Sequence, residues 1–142
     1  MGVDRLTDVQ YRGPRDQTLT TPRDFFERLH AKYNFSMDGA SEDHNALLPK
    51  HSTEANPLPW AGERVFCNPP WGNIGPFVEL AAQAEFACLL VPSRTNTQWF
   101  HRALELGARP DFWLKRLKFG KHKDNSPADC LLLIFGRALT CS

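Results

Sequence analysis

The sequence of 142 residues contains no apolar run long enough to cross a bilayer, which argues against a membrane-spanning helix. Its first residues also lack the basic and then apolar order that secretory signals share. Because a chain without such a signal stays where it is made, we expect a protein of the reducing cytoplasm that has no membrane partner. The apolar content of 42% is ordinary for a single globular domain of this length.

Cysteine and histidine are scarce, and their spacing fits no metal site or disulfide framework. The four cysteines contain no C-x-x-C pair; they are Cys67, Cys88, Cys130 and Cys141. The first three lie in apolar runs, where cysteine behaves as a small hydrophobe. His44 and His51 lie near Asp43 and Glu54, but neither spacing matches a helical or zinc-ligand pattern. We therefore expect no metal site.

Several familiar catalytic patterns are also absent, and bulk charge is uninformative. The sequence has no glycine-rich phosphate loop, nucleophile elbow or histidine-glutamate zinc helix. The net charge of +1 does not by itself indicate a nucleic-acid partner. Positive charge is nevertheless concentrated late in the chain, at Arg109, Lys115, Arg116, Lys118, Lys121 and Lys123. This segment is either a phosphate-binding surface or a solvated hairpin face.

Turn and cap residues divide the chain into short elements. Residues 1–19 show no clean period and contain Gly13 and Pro14, so we expect a loose N-terminal arm before a single domain of residues 20–142. A first helix is predicted with Thr21 as N-cap, Pro22 at the first helical position and an end at Asn34. The segment from 41 to 62 is rich in proline and polar residues and is predicted to be mostly loop.

The remaining segments predict alternating strands and helices. The predicted strands are "FSMD" ending at Asp38, Arg64 to Cys67, Phe86 to Pro92, Phe112 to Phe119 and Cys130 to Phe135. Further helices are predicted from near Pro76, and after a Thr95 and Gln98 capping box as far as Gly107. This order predicts an α/β fold with a mostly parallel sheet, covered on both faces, and a C-terminal antiparallel hairpin. Ligands in such sheets bind beyond the carboxyl ends of the strands, which places Asp38, Asn68 and Pro92 together.

The stretch "VFCNPPW" ends one of these strands on Asn68, Pro69, Pro70 and Trp71. The two prolines fix the backbone, so that the Asn68 side chain and the Pro69 carbonyl can point to one spot. Two fixed acceptors can take both protons of a nucleobase amino group and stabilise the positive charge that grows on it during attack. Trp71 offers a face on which an extruded base can stack. The alternative is a plain strand-ending turn, or a Pro-Pro turn that a polyproline-binding domain accepts.

These residues resemble a known family. "NPPW" is similar to the (Asn/Asp/Ser)-Pro-Pro-(Tyr/Phe/Trp) motif of amino-methyltransferases that act on DNA. More closely, the chain resembles the small phage-type DNA N6-adenine methyltransferases, with five blocks in that family's order over Thr21 to Gly136. The blocks are "TPRDFFERL", "FSMDGAS", "VFCNPPWGNIGPFVELA", "LLVPSRTNTQWFH" and "RLKFG".

The resemblance implies methyl transfer from S-adenosylmethionine to adenine N6 of DNA on a Rossmann-like class I methyltransferase fold, in the host cytoplasm if the chain is phage-encoded. Asn68 and Pro69 would hold the amino group, Pro70 would brace the turn, and Trp71 would stack on the base. The implied methyl-donor pocket comprises Thr21, Pro22, Asp38, Gly39, Ala40 and Asn68. DNA phosphates would meet Lys115, Arg116, Lys118, Lys121 and Lys123. Asp38 has an alternative role, capping the segment that follows it.

The chain departs from the family pattern in three respects. Trp71 stands where the family commonly has tyrosine or phenylalanine, which keeps stacking and removes the phenol. No G-x-G loop follows the first strand, where only Gly39 is present. No spare segment is available for target recognition, so we expect low or partner-supplied sequence selectivity. Cytosine N4 transfer, and a nucleic-acid-binding protein that binds no methyl donor, are the alternatives; no feature predicts an oligomeric state.

Overall fold

The computed structural model describes residues 21–42, 45–53, 55–112 and 130–136, which contain three helices and five strands in the predicted order. These elements are α1 (Arg23–Tyr33), β1 (Met37–Asp38), β2 (Arg64–Cys67), α2 (Gly75–Gln83), β3 (Phe86–Pro92), α3 (Gln98–Glu105), β4 (Arg109–Phe112) and β5 (Cys130–Gly136). The proposed N-terminal arm lies outside the described residues. None of the described helices is long and apolar enough to cross a membrane.

All five strands form one mixed sheet in the order β1-β2-β3-β5-β4. The first three strands are parallel neighbours, whereas β5 is antiparallel to both β3 and β4. The predicted parallel pairing of the first strands and the final antiparallel pair are thus confirmed, although the insertion of β5 between β3 and β4 was not predicted. Strands β1, β2 and β3 end at Asp38, Cys67 and Pro92 on the same side, which we call the carboxyl edge.

The start predicted for the fourth strand was wrong. Strand β4 covers Arg109–Phe112, three residues before the predicted start at Phe112, and it contains Pro110. Proline is excluded from central strands because it cannot donate to the ladder, but an edge strand has one unpaired side and tolerates it. Strand β4 is the last strand of the sheet order, so Pro110 is accommodated there. Residues 113–119 lie outside the described part of the chain.

The N-terminal caps of two helices also differ from the prediction. Pro22, not Thr21, is the N-cap of α1, and no side chain caps this helix. The N-cap of α3 is Thr97 rather than Thr95, because the Thr97 hydroxyl is the one that accepts a hydrogen bond from the Phe100 N–H, at 3.3 Å. The predicted end of α1 is confirmed, since Asn34 adopts a left-handed conformation with a φ of 57°.

The sheet is covered on both faces, as its apolar strands predict. Helices α2 and α3 pack on one face and α1 packs on the other. All seven residues of β3 are buried, and alternate ones contribute to opposite faces. The molecule therefore has three layers, and functional groups can reach solvent mainly at the ends of the strands.

Arg64 at the start of β2 fixes the C-terminal end of α1. Its Nε and Nη2 groups donate to the Tyr33 carbonyl at 3.0 and 2.7 Å, and its guanidinium lies 4.6 Å from the centre of the Phe86 ring. Carbonyls in the last turn of a helix lack partners within the helix, and a positive charge there is favourable. Helix α1 therefore ends at the edge of the sheet opposite the carboxyl edge and begins near the carboxyl edge itself.

Candidate functional site

The Asn-Pro-Pro-Trp turn follows β2 directly and lies at the carboxyl edge. A hydrogen bond of 2.9 Å from the Asn73 N–H to the Pro70 carbonyl closes the turn. Pro69 is buried, whereas Asn68 and Pro70 are half-buried. Within the described ranges, no residue donates a hydrogen bond to the Pro69 carbonyl, since the two prolines end the ladder at this point. The turn is rigid and keeps this main-chain acceptor available.

The side chain of Asn68 contacts the start of the first helix. Its Nδ2 donates a hydrogen bond to the Thr21 hydroxyl oxygen at 3.2 Å. The structure thus brings together two residues that are widely separated in the sequence and that were both assigned to the methyl-donor pocket. The side-chain oxygen of Asn68, Oδ1, accepts no hydrogen bond from any residue that the structure describes, so it is available to a ligand.

Trp71 is fixed in position by strand β3. Its indole N–H donates to the Leu90 carbonyl at 3.4 Å, and the half-buried ring packs against the cores on both faces of the sheet. The indole is therefore held at the carboxyl edge by packing as well as by this hydrogen bond. Only its exposed part can contact a ligand.

Asp38 is almost fully buried, at 2% exposure, and its carboxylate is bonded to main chain. One oxygen accepts from the Ala40 N–H at 3.3 Å and the other from the Leu47 N–H at 3.0 Å. Burial raises the pKa of Asp38, and these two hydrogen bonds oppose the rise. The carboxylate thus holds the loop that follows β1, which is the capping role given above as the alternative for this residue.

The chain returns to pair with β1 on its outer side, which the sequence did not indicate. The Asp38 N–H donates to the Lys50 carbonyl at 3.0 Å, and the Ser52 N–H donates to the Asp38 carbonyl at 2.9 Å. His51 forms a parallel bridge with Asp38 at this point. The prolines in this segment predicted loop, and one bridge is too short to leave a periodic signal.

We expect an Asp38→Asn variant to change the pH dependence of stability. Because burial raises the pKa of Asp38 above its ordinary value of 3.8, the folded state favours the protonated carboxyl. The stability that Asp38 contributes is therefore complete below that value and is lost as pH rises through the raised folded-state pKa. The melting temperature of the wild type minus that of the variant should fall with rising pH in circular-dichroism melts. A difference that is constant or grows with pH would contradict this prediction.

The glycine at position 39 is explained by side-chain packing rather than by a glycine-rich loop. Its N–H donates to the Phe66 carbonyl at 2.8 Å. A Cβ atom at Gly39 would lie 2.5 Å from Cζ2 of Trp60 and 2.9 Å from Cγ1 of Val65. Trp60 is 1% exposed and belongs to the core on the α2 and α3 face. A glycine is therefore needed here because the Trp60 indole occupies the space of a side chain.

The cysteines near the site are not suited to nucleophilic chemistry. Cys67, which precedes Asn68, is fully buried, and desolvation raises the pKa of its thiol well above the ordinary value. Burial likewise raises the pKa of Cys88 to about 12.

Two sets of predicted residues fall on parts of the chain that the structure does not describe. The basic segment is one of them, comprising Lys115, Arg116, Lys118, Lys121 and Lys123. Asp43, His44 and Glu54 are the other. Within the described ranges, no three histidine, cysteine, aspartate or glutamate side chains are grouped to hold a metal ion.

Comparison with known proteins gives one finding that covers most of the chain. A family model described as DNA N-6-adenine-methyltransferase (Dam) matches residues 11–137. The match contains the whole carboxyl edge and the basic segment. No curated protein matches the chain.

Proposed function

Because this chain belongs to the DNA N-6-adenine-methyltransferase family, we propose that it transfers a methyl group from S-adenosylmethionine to adenine N6 at the turn formed by Asn68 to Trp71. The observation that carries this proposal is the hydrogen bond from Asn68 Nδ2 to Thr21. It engages the donor end of the Asn68 amide and leaves the acceptor end without a partner among the described residues, at the carboxyl edge.

The proposed chemistry depends on these two acceptors. The lone pair of an adenine amino group is delocalised into the ring, so the nitrogen is a weak nucleophile. Hydrogen bonds from its two protons to Asn68 Oδ1 and the Pro69 carbonyl favour a tetrahedral nitrogen and stabilise its growing positive charge. Placement in line with the methyl group supplies the rest of the rate enhancement. The nitrogen would displace the donor sulfur, so that the carbon–sulfur bond breaks and a neutral thioether leaves. The methylated nitrogen, which then carries the positive charge, would lose one proton to solvent. No residue of perturbed pKa is therefore needed as an acid or base.

The base must leave the duplex before its amino group can reach this turn. Stacking on an aromatic face contributes about 1–3 kcal/mol per base, which offsets part of the cost of extrusion. Trp71 is the aromatic residue of the turn, and its ring is fixed through the Leu90 carbonyl. We assign the exposed part of its indole to base stacking, with Pro70 bracing the turn.

The residues around β1 suit the methyl donor, which supplies a methyl group bound to a positively charged sulfur and carries ammonium and ribose hydroxyl groups. The Asp38 carboxylate gives this region a negative group. The Ser41 hydroxyl lies beside that carboxylate, yet its enclosed oxygen has no well-aligned hydrogen-bond partner in the described part of the chain. We assign the donor pocket to Thr21, Pro22, Asp38, Gly39, Ala40 and Asn68.

We also propose that the fold is a reduced Rossmann-like class I methyltransferase domain formed by residues 20–142. Three adjacent parallel strands with helices on both faces support this assignment. All of the described helices and strands belong to this one sheet and the helices that cover it, so we infer low or partner-supplied sequence selectivity for this domain.

The basic segment is proposed to bind DNA phosphates, so Lys118→Ala should weaken DNA binding. The loss of one phosphate contact should also flatten the slope of log K against log salt by about 1. Fluorescence anisotropy at several salt concentrations measures both effects. The matched control is Lys32→Ala, an exposed lysine next to Tyr33 at the end of α1 far from the carboxyl edge. Equal affinity and slope for Lys118→Ala and the wild type would exclude this contact.

Methyl transfer can be tested directly with isotope-labelled S-adenosylmethionine and DNA, followed by nucleoside mass spectrometry. We expect labelled N6-methyladenine in DNA of varied sequence. Labelled N4-methylcytosine would instead identify the cytosine reaction. Absence of any labelled base, together with no heat of S-adenosylmethionine binding in calorimetry, would identify a binding protein and overturn the proposal.

A further inference from the structure

The ladder between β2 and β3 ends one pair before the carboxyl edge. The two strands are parallel, and their last pair is Cys67 with Leu89. The next pair would be Asn68 with Leu90, but the Asn-Pro-Pro-Trp turn begins at this point. A carbonyl of β3 that faces β2 beyond the last pair therefore needs a donor from outside the ladder.

The Leu90 carbonyl is the group in this position. The Phe86 N–H donates to the Glu63 carbonyl at 3.4 Å, so the main-chain groups of Phe86 point toward β2. Because these groups alternate in direction along a strand, those of Leu90, four residues later, point the same way. In a parallel ladder, the Leu90 carbonyl would accept from the residue that follows Asn68. That residue is Pro69, which has no N–H.

The indole of Trp71 supplies a donor in its place. Its N–H donates to the Leu90 carbonyl at 3.4 Å. Leu90 is fully buried, where a carbonyl without a partner would lower stability. Phenylalanine has no donor in its ring, and tyrosine has its only donor at the far end of the ring. The tryptophan at this position therefore provides a contact that neither of those residues would provide in the same way.

Contacts with β3 on both sides of the proposed acceptors hold the turn in place. Cys67 is the last residue of β2 in the ladder, and Trp71 binds β3 again four residues later. Asn68 and Pro69 lie between these two attachments. Because prolines allow little backbone rotation, fixing Trp71 on β3 also restricts the position of the Pro69 carbonyl.

We propose that Trp71 is a positioning residue whose indole N–H replaces the main-chain donor that Pro69 lacks, and thereby holds the turn against β3. This inference rests on the proposed function of the turn and gives Trp71 a second role besides base stacking. The two roles use different parts of the indole, since stacking needs the ring face and positioning needs the N–H group. A change that affects the N–H group alone separates them.

Replacement of Trp71 by benzothienylalanine is such a change, because sulfur takes the place of the N–H group and the fused rings are kept. We expect the melting temperature of the full chain to fall by about 3–8 °C, since a buried carbonyl is left without its donor. The matched control is the same replacement at Trp99, which is also half-buried and whose N–H has no hydrogen-bond partner among the described residues. Losses of equal size at both positions would overturn the inference.

Pro69→Ala tests whether the indole replaces the missing main-chain donor, because alanine restores an N–H at this point of the ladder. In the Pro69→Ala background, benzothienylalanine at position 71 should lower the melting temperature by less than about half of its effect in the wild type. Equal losses in the two backgrounds would show that the Trp71 N–H does not replace the N–H that is missing at residue 69.

Kinetics test the effect of this contact on the proposed acceptors. Benzothienylalanine at position 71 should lower kcat for DNA methylation about tenfold well below the melting temperature, with the KM for S-adenosylmethionine within about twofold of the wild type. An unchanged kcat, or a raised KM alone, would overturn the positioning role. If the melting temperatures show the contact but the wild type methylates no DNA, the proposed function fails separately from the contact.

Discussion

The Asn68→Ala variant is expected to lose methyl transfer by about 10²–10³-fold in kcat, the usual effect of removing one preorganised group at a reacting centre. The substitution removes the side-chain acceptor and leaves the Pro69 carbonyl alone to hold the target amine. The donor pocket keeps its other members, so binding of S-adenosylmethionine should persist. Single-turnover methylation gives the rate, and calorimetry gives the binding.

Asn73→Ala is the matched control for this variant. Asn73 is an exposed residue of the same turn, and it closes the turn through its main-chain N–H rather than its side chain. Its methylation rate should stay within about twofold of the wild type because surface substitutions have small effects. Wild-type turnover in Asn68→Ala would refute the role of that side chain, and so would a loss of equal size in Asn73→Ala.

A second large effect is expected at Gly39, where Gly39→Ala should lower the free energy of unfolding by about 1–3 kcal/mol, as overpacking of a core does. The new methyl group would lie 2.5 Å from Trp60 Cζ2, so the buried indole or the strand must shift. Denaturant unfolding gives the size of the loss. Gly75→Ala is the control, since a Cβ there meets no atom within 4 Å.

The cause of this loss can be tested by making Trp60 smaller, so that the Gly39→Ala methyl group no longer overlaps its indole. Trp60→Phe removes the outer ring atoms that a Gly39→Ala methyl group would approach. It costs stability itself because it leaves a cavity, but the double variant should lose less than the sum of the two single losses. Additive losses would indicate that Gly39→Ala acts through Val65 or the backbone rather than through the indole.

The sequence predicts the element order of this fold well because its signals are local. Apolar runs, prolines and glycines identify the parallel strands and the end of α1 at Asn34. The insertion of β5 between β3 and β4 depends on long-range pairing, which no local pattern contains. The start of β4 was missed because Pro110 argues against a strand unless the strand is known to lie at an edge.

In the candidate site, too, local features could be predicted from the sequence, whereas features that depend on long-range contacts could not. The location of Asn68 at the end of a strand could be predicted, since two prolines must end a ladder. Its contact with Thr21 could not, because nothing in the sequence shows which way α1 lies across the sheet. The full burial of Asp38 was likewise hidden, since it depends on the chain returning at His51.

Helix α1 connects the two ends of the sheet as one rigid body, and this has a consequence for heat tolerance. Its 11 residues span about 16 Å, from the start of the helix beside Thr21 to its end at Tyr33, where Arg64 binds the main-chain carbonyl. Weakening of the Arg64 contact would tilt the whole of α1. A change far from the proposed site would therefore displace Thr21 and, with it, the Asn68 side chain. On warming, we therefore expect turnover to decline before the fold is lost, because loss of the Arg64 hydrogen bonds to the Tyr33 carbonyl would allow α1 to move.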